Sequence, residues 1–409
     1  MCGALHREPR LAPRETAQCS RCGSVLLKYS GLQPADWLAL CATALILFLI
    51  ANLFPVAELS VQGQIRSATL PQAVALTWAA GNHTIALLSA LFVLVLPVAQ
   101  VLCLVYALIP LARRRLWPGF VTSLRMLGLL RPWSMIPVFV LAVLVALVKM
   151  ADLASVQLQA GMLGYALASV CMTMLTRVSP HLLWRLAESR RLVAVYYPTP
   201  NLHHTLTGCH HCGQVQPLNH QCVRCSATLH HRKPESQARP WALLLAALVC
   251  YLPANLLPIM QVESPLLGNS GHTILGGVLE LGRLGSWDLA AIVFIASVVV
   301  PLGKLLALAC LLLLTQARSM RHLRARTRLY RVVEFVGQWS MLDVFVVLLL
   351  AALAHFSGLM VILVGPAAAA FGLVVILTML AAMSFDPRTA WDRARDQAIS
   401  SHSPPPSTS

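Results

Sequence analysis

Four cysteines near the middle of the chain have the spacing of a metal site. They are Cys209, Cys212, Cys222 and Cys225. They form two pairs with two residues between the members of each pair, and Gly213 follows the first pair, where a tight turn needs freedom in φ. Four thiolates in this pattern can close the tetrahedral shell of a structural zinc ion. The charge pattern places this segment in the cytoplasm, where disulfides are disfavoured. We therefore predict a zinc ribbon over 201–233, with a redox-active cysteine pair as the less favoured alternative.

An incomplete version of the same motif lies near residue 1. Cys19 and Cys22 have the spacing of a second knuckle, whereas upstream there is only Cys2, in a segment that matches the end of a first knuckle. Either a further cysteine precedes the given sequence or His6 supplies the fourth ligand. We predict a degenerate zinc ribbon over 1–30, with its metal occupancy left open.

A second set of chemically interesting residues interrupts apolar stretches. The set is Lys149, Asp152, Lys304, Ser340, Asp343 and Thr378. Burying an ionisable group in a bilayer is costly and tends to mark function. Lys149 and Asp152 are three residues apart, on one helical face, where they can pair. Snorkelling towards the surface is the alternative for these groups, and it is the less favoured one for Lys304, which lies well inside its span. We predict that the six residues form one polar transport network.

Membrane helices must position these groups. Charged residues make up 11% of the chain and hydrophobic residues 57%, against roughly 25% charged residues in soluble domains. A span needs roughly 20 apolar residues, and eight stretches qualify. They are 36–54, 84–110, 134–152, 160–178, 241–260, 288–314, 339–356 and 360–383. The third with the fourth, and the seventh with the eighth, are predicted to form helical hairpins joined by very short turns. No cleavable signal peptide is expected before the first span.

The chain repeats itself at an offset of about 204 residues. Four signatures recur in the same order: Asn52–Pro55 as Asn255–Pro258, Pro97–Gln100 as Pro301–Lys304, Trp133–Met135 as Trp339–Met341, and Thr173–Leu175 as Thr378–Leu380. This pattern indicates a tandem duplication. We therefore predict an all-α polytopic membrane protein with two repeats, each a small zinc ribbon followed by a four-helix transmembrane bundle. The bundles are assigned to 31–190 and 234–395, and 396–409 to a disordered tail.

The two repeats differ in their polar residues. Lys304 takes the place of Gln100, and Asp343 the place of Pro137. Such a division of polar residues favours one composite site over two equal ones. Pro97 and Pro301 are expected to break helices in mid-membrane, which is tolerated where a break lines a cavity or is repaired by neighbours and is common in transporters.

Lysines and arginines concentrate on one side of the predicted membrane. With eight spans, both termini and the loops after spans two, four and six fall on this side, and those loops carry most of the arginines. The opposite loops carry only Arg66 and Arg283. The positive-inside rule makes the arginine-rich side cytoplasmic. The net charge of +16 is therefore a topology signal with some attraction to anionic lipids, and we expect no nucleic-acid partner.

Motifs in the second half carry a family resemblance. Pro253–Ile259, Ile292–Lys304, Gln338–Asp343 and Gly365–Ala368, followed by Thr378 and Trp391, resemble the paraquat-inducible protein A family and within it most resemble the LetA branch. The resemblance implies a Gram-negative inner-membrane protein with two cytoplasmic zinc ribbons and two four-helix bundles. It also implies an MCE-domain partner that spans the periplasm and a role in moving lipids between the two membranes. The truncated first knuckle and Pro137 depart from that pattern.

Two other functions remain open from the residues alone. One is a membrane redox protein that uses the Cys pairs, which would need exposed thiolates of low pKa. The other is an ion- or proton-coupled transporter of a small solute, with the polar network as its relay. A phosphate-binding loop of the Walker type is missing from the sequence, and no nucleophile stands beside a base, so we expect a non-enzyme.

Overall fold

The computed structural model describes a mostly helical chain. The described residues are 2–6, 12, 15–28, 31–61, 64–151, 155–194, 206–264, 268–283, 285, 287–317, 322–342, 344–346, 348 and 361–392. Within them, 6 helices are long and apolar enough to cross a membrane, and a seventh span results if the bent pair Ala160–Leu175 and Pro180–Ser189 counts as one.

The first half contains eight α-helices and five strands in its described part. The helices are α1 (Pro34–Leu53), α2 (Leu70–Ala79), α3 (His83–Ser89), α4 (Leu96–Ala112), α5 (Phe120–Leu130), α6 (Ile136–Ala151), α7 (Ala160–Leu175) and α8 (Pro180–Ser189). The strands are β1 (Thr16–Gln18), β2 (Val25–Lys28), β3 (Ala57–Val61), β4 (Gln64–Ala68) and β5 (Ser155–Leu158).

The second half follows the same order of elements. Its described helices are α9 (Ala238–Leu256), α10 (Ile274–Arg283), α11 (Trp287–Phe294), α12 (Val300–Gln316), α13 (Leu323–Val336) and α14 (Pro366–Ser384). Its strands are β6 (Leu206–Gly208), β7 (Val215–Pro217), β8 (Met260–Ser264), β9 (Gly268–His272) and β10 (Val361–Val364). In each half the last long helix packs along the first one, α7 on α1 and α14 on α9.

The strands require a correction to the all-α prediction. Two three-stranded antiparallel sheets have the orders β4-β3-β5 and β9-β8-β10. Strand β5 lies in the connection predicted as a very short hairpin turn, and β10 lies inside the predicted span 360–383, whose helix begins only at Pro366. The apolar, β-branched run Val361–Val364 resembles the start of a helix in sequence. Its pairing with β8 decides the strand, since β propensity depends on context.

The third predicted span, 134–152, corresponds to α6, and α5 lies directly before it. Helices α5 and α6 are joined by a 3-10 turn at Arg131–Trp133, and Phe120–Ala146 is one candidate span of 27 residues. Arg125 lies in α5 and Arg131 in the 3-10 turn, and both precede α6. The guanidinium of Arg125 donates a hydrogen bond to the carbonyl of Cys225, so α5 contacts the second cysteine cluster.

The seventh predicted span, 339–356, lies largely outside the described residues. The predicted count of eight spans thus stays a prediction. The other predicted spans each have a counterpart among the candidate helices or the bent pair.

The predicted breaks at Pro97 and Pro301 take the form of π-helical turns. These turns are Ala90–Val95 before α4 and Ile295–Val299 before α12, and each proline is the second residue of the following helix. A proline has no N–H and its ring clashes with the carbonyl four residues back, so widening the preceding turn relieves the clash. Such π-bulges are frequent at functional sites.

Candidate functional site

The second cysteine motif folds into two turns with equivalent backbone hydrogen bonds. Cys209 lies at the end of β6 and Cys222 follows β7. The Gly213 N–H donates to the Cys209 carbonyl at 3.0 Å, and the Ser226 N–H donates to the Cys222 carbonyl at 2.8 Å. Gly213 has a φ of +75°, a left-handed conformation that favours glycine, as the sequence predicted. The two turns hold the pairs face to face.

The geometry of the four sulfurs fits zinc. Their ligand atoms all lie within 4.8 Å of one another. The Cys209 and Cys225 sulfurs are 3.6 Å apart, and those of Cys212 and Cys222 are 3.5 Å apart. Zn–S bonds of about 2.3 Å at tetrahedral angles place neighbouring sulfurs about 3.8 Å apart. All four thiols are buried and none forms a disulfide.

Close sulfur contacts shift the thiol pKa values of this cluster apart. A hydrogen bond from the Cys212 thiol lowers the pKa of Cys209 to about 4. The same contact, together with burial, raises the pKa of Cys212, and burial raises the pKa of Cys225. Without a cation, the cluster can hold only part of its negative charge. A divalent metal would stabilise all four thiolates together.

The first motif brings three cysteines together in the same way. The Gly23 N–H donates to the Cys19 carbonyl at 2.8 Å, and the ligand atoms of Cys2, Cys19 and Cys22 lie within 4.8 Å of one another. The Cys2 and Cys19 sulfurs are 3.5 Å apart. Three converging thiols leave one position of a tetrahedral shell to be filled.

His6 lies beside one sulfur of this cluster. Its Nε2 lies 3.2 Å from the Cys19 sulfur. Burial raises the pKa of the Cys2 thiol to about 11. The Cys22 thiol is also penalised by burial, but hydrogen bonds from Ser24 lower its pKa to about 6. The three thiols form a candidate metal group, and His6 as its fourth ligand stays a prediction.

A third candidate site lies within the membrane helices, at Lys304 of α12. The lysine is 4% exposed, and its Nζ has no hydrogen-bond partner among the residues that the structure describes. A Cβ on Gly337 would lie 3.3 Å from this Nζ. Gly337 begins a 3-10 segment, Gly337–Met341, directly after α13. The π-helical turn Ile295–Val299, α12 and α14 all pack against that segment. Lys304 thus occupies the junction of a π turn and a 3-10 turn, called the lysine site below.

The structure reaches the predicted polar network only in part. Thr378 on α14 is buried, and its hydroxyl donates to the Val375 carbonyl of its own helix at 2.9 Å. Ser340 lies within the 3-10 segment and Lys149 on α6, with only their backbones described. Asp152 and Asp343 lie outside the described residues. The connection between these side chains remains a prediction.

Three buried polar residues escaped the sequence reasoning as site residues. Ser297 lies in the π turn beside the lysine site and is 1% exposed. In the first half, the Ser89 hydroxyl and the Gln100 Oε1 are buried without a hydrogen-bond partner in the described part of the chain. All three interrupt apolar runs. Their neutral side chains gave a weaker signal than the charges did, although desolvating an unpaired amide or hydroxyl is also unfavourable.

Comparisons with known proteins are in keeping with this architecture. Intermembrane transport protein PqiA of Escherichia coli (strain K12) is 34% identical over 398 residues, which is 96% of this chain and 94% of that protein. Lipophilic envelope-spanning tunnel protein A of the same strain is 34% identical over 66% of this chain and 62% of its own length. A probable intermembrane transport protein of Haemophilus influenzae is 29% identical over 65% of this chain and 64% of its own. No solved structure matches.

The sequence profile of the family described as Paraquat-inducible protein A matches the chain twice. The matched regions are 35–188 and 237–395. They correspond to the two helical halves, they leave out both cysteine clusters, and the second contains the lysine site. The duplicated order of helices and sheets, the identity to PqiA and this double match agree: the chain belongs to the paraquat-inducible protein A family.

Proposed function

We propose that this chain is the inner-membrane component of an intermembrane lipid transport system. In this proposal it passes phospholipid or related lipids to or from an MCE-domain partner that spans the periplasm. The names of the relatives, which are transport proteins, support a transport role without catalysis. The observation that carries the proposal is the buried Lys304, which has no hydrogen-bond partner among the described residues, at a double break in the membrane helices.

The chemistry of the lysine site suits a phospholipid head group. An ammonium in a low-dielectric site binds a phosphate by charge-assisted hydrogen bonds. Ser297 adds a buried hydroxyl nearby, and we propose that Lys149, Asp152, Ser340, Asp343 and Thr378 complete the network. A head group needs such a polar site beside apolar surface that accepts its tails, and helix breaks provide both.

We further propose that both cysteine clusters are structural zinc ribbons on the cytoplasmic side. Cys209, Cys212, Cys222 and Cys225 would hold one zinc ion, and Cys2, Cys19, Cys22 and His6 a second. Closed thiolate shells have no open position for catalysis. Because α1 is a candidate span, the sheet that follows it lies on the opposite, periplasmic side.

Cysteine labelling should establish this orientation. We expect a membrane-impermeant maleimide to react in intact spheroplasts with Gly268→Cys, in β9, and to spare Leu218→Cys, an exposed position of the second ribbon. Both positions should react after the membrane is permeabilised, and the unsubstituted protein supplies the background. Labelling of Leu218→Cys before permeabilisation would reverse the orientation and remove the argument against disulfides.

Photocrosslinking tests whether lipid occupies the lysine site. A benzoylphenylalanine at Met379, whose side chain lies beside Gly337 and Lys304, should capture phosphate-labelled lipid in cells. Leu306, on the same helix as Lys304 and 68% exposed, is the matched position that reports bulk bilayer lipid. Lys304→Met should abolish the crosslink at Met379 and leave that at Leu306.

The result separates the competing functions. Labelled lipid at Leu306 but never at Met379 would exclude a head-group site and favour an ion- or proton-coupled transporter of a small solute. A redox function would instead require activity to depend on Cys209 or Cys212 oxidation, independently of Lys304.

A further inference from the structure

Each cysteine cluster contacts the opposite half of the chain through an arginine. Arg21 lies between Cys19 and Cys22, and its guanidinium sits over the Trp391 ring, 5.0 Å from the ring centroid. Arg224 lies between Cys222 and Cys225 and sits over the Trp184 ring at 5.2 Å. The two arginines occupy the same place in their knuckles, so the two contacts are equivalent.

The two tryptophans are also equivalent. Each is the fourth residue after a proline that starts a short helix, Pro180 in one half and Pro387 in the other. The residue before each proline caps that helix. Ser179 accepts from the Leu182 N–H, and the carboxylate of Asp386 accepts from the Arg388 N–H. The arginines therefore cross between the halves, with first-half Arg21 on Trp391 and second-half Arg224 on Trp184.

Further bonds fix the contact at Trp184. Arg224 forms an ion pair with Glu188, and the two side chains are 8% and 20% exposed. Trp184 packs edge-on against Phe120 at 5.4 Å between ring centroids. From α5, Arg125 donates to the Cys225 carbonyl. The second cluster is thus held by α8 and by α5.

The contact at Trp391 has the same construction. Arg21 also donates to the Trp391 carbonyl at 3.1 Å, and the indole N–H donates to the Thr327 hydroxyl at 3.0 Å. Arg324 of α13 donates to the Arg21 carbonyl at 3.1 Å. Helix α13 is the counterpart of α5, so both clusters are held by the same pair of elements in the opposite half.

We propose that these two contacts couple the halves crosswise, so that metal binding by each cysteine cluster controls the packing of the opposite half. Thiolate ligation would fix the knuckle backbone, and this backbone aims the arginine at its tryptophan. Loss of metal from the second cluster would release Arg224 and loosen α8 and α5. Loss of metal from the first cluster would release Arg21 and loosen Asp386–Asp392 and α13. Because α13 leads directly to Gly337, the first cluster would position the lysine site. The proposal concerns metal and packing and does not depend on lipid transport.

Hydrogen–deuterium exchange on the full chain in nanodiscs tests the crossing. Arg224→Gln should raise amide exchange at least about threefold over 180–189, since it removes a partly desolvated cation–π contact, and leave α13 unchanged. Arg21→Gln should do the reverse. Lysine at either position keeps a cation over the ring and should restore part of the protection. Exchange that rises only in the variant's own half, at α9 for Arg224 or α1 for Arg21, would overturn the proposal, as would no change.

Substituting the tryptophans tests the same coupling if the arginine variants lose metal or fold poorly. If metal binding stabilises docking, docking must stabilise metal binding by the same factor. Trp184→Phe should therefore speed alkylation of Cys209, Cys212, Cys222 and Cys225 and spare Cys19 and Cys22. Trp391→Phe should give the opposite pattern. Equal acceleration at both clusters, or none at either, would contradict crossed coupling.

Discussion

Cys222→Ser is expected to remove one zinc ion per chain and to lower the yield of folded protein severalfold. Its sulfur is one of four buried ligands within 4.8 Å of one another, and the small ribbon has little apolar core of its own. Binding free energy at such sites, on the order of 10 kcal/mol, is folding free energy. Metal analysis of freshly purified protein, with size-exclusion yield, measures both effects.

Two controls make this result specific. Cys250→Ser, in α9 and away from both clusters, should leave the metal content unchanged. His6→Ala should lower the metal occupancy of the first cluster, because the His6 Nε2 lies 3.2 Å from the Cys19 sulfur. The second cluster should keep its metal. A Cys209–Cys212 disulfide without metal in fresh protein would refute the zinc prediction.

Lys304→Met should abolish complementation of an envelope-barrier defect while the protein accumulates normally and keeps its zinc. The methionine fills similar volume, and removing a buried ammonium without a described partner relieves a cost of about 2.5–3.5 kcal/mol at a span centre. We therefore expect equal or higher thermal stability together with lost function. Complementation, immunoblotting and a thermal-shift assay on the same variant distinguish function from folding.

The repeat supplies the matched control. Gln100→Met alters the corresponding position of the first half, where a buried but neutral amide occupies the site, and should retain function. Lys149→Ala and Asp343→Ala should also lose function if the predicted network is connected, but with lower thermal stability, because each leaves a buried charge without its partner. Full function in Lys304→Met would show that the lysine merely snorkels, and loss through degradation would make it structural.

The sequence alone determined the membrane class, the duplication and the two groups of cysteines that converge. These features depend on composition and local spacing. An apolar run of about 20 residues must be buried in lipid or protein whatever its neighbours are, and two residues between cysteines bring both thiols to one turn. The converging sulfurs of both clusters, with His6 beside Cys19, follow from such local patterns.

Tertiary structure decided what depends on distant partners. Val361–Val364 is a strand because β8 pairs with it, and α5 contacts the second cluster because the Cys225 carbonyl accepts a hydrogen bond from the Arg125 guanidinium. The crossing of Arg21 to Trp391 and of Arg224 to Trp184 joins residues 370 and 40 positions apart. Spacing within one segment carries no information about such pairs, since only the packing of the two halves brings each knuckle to the far end of the other half.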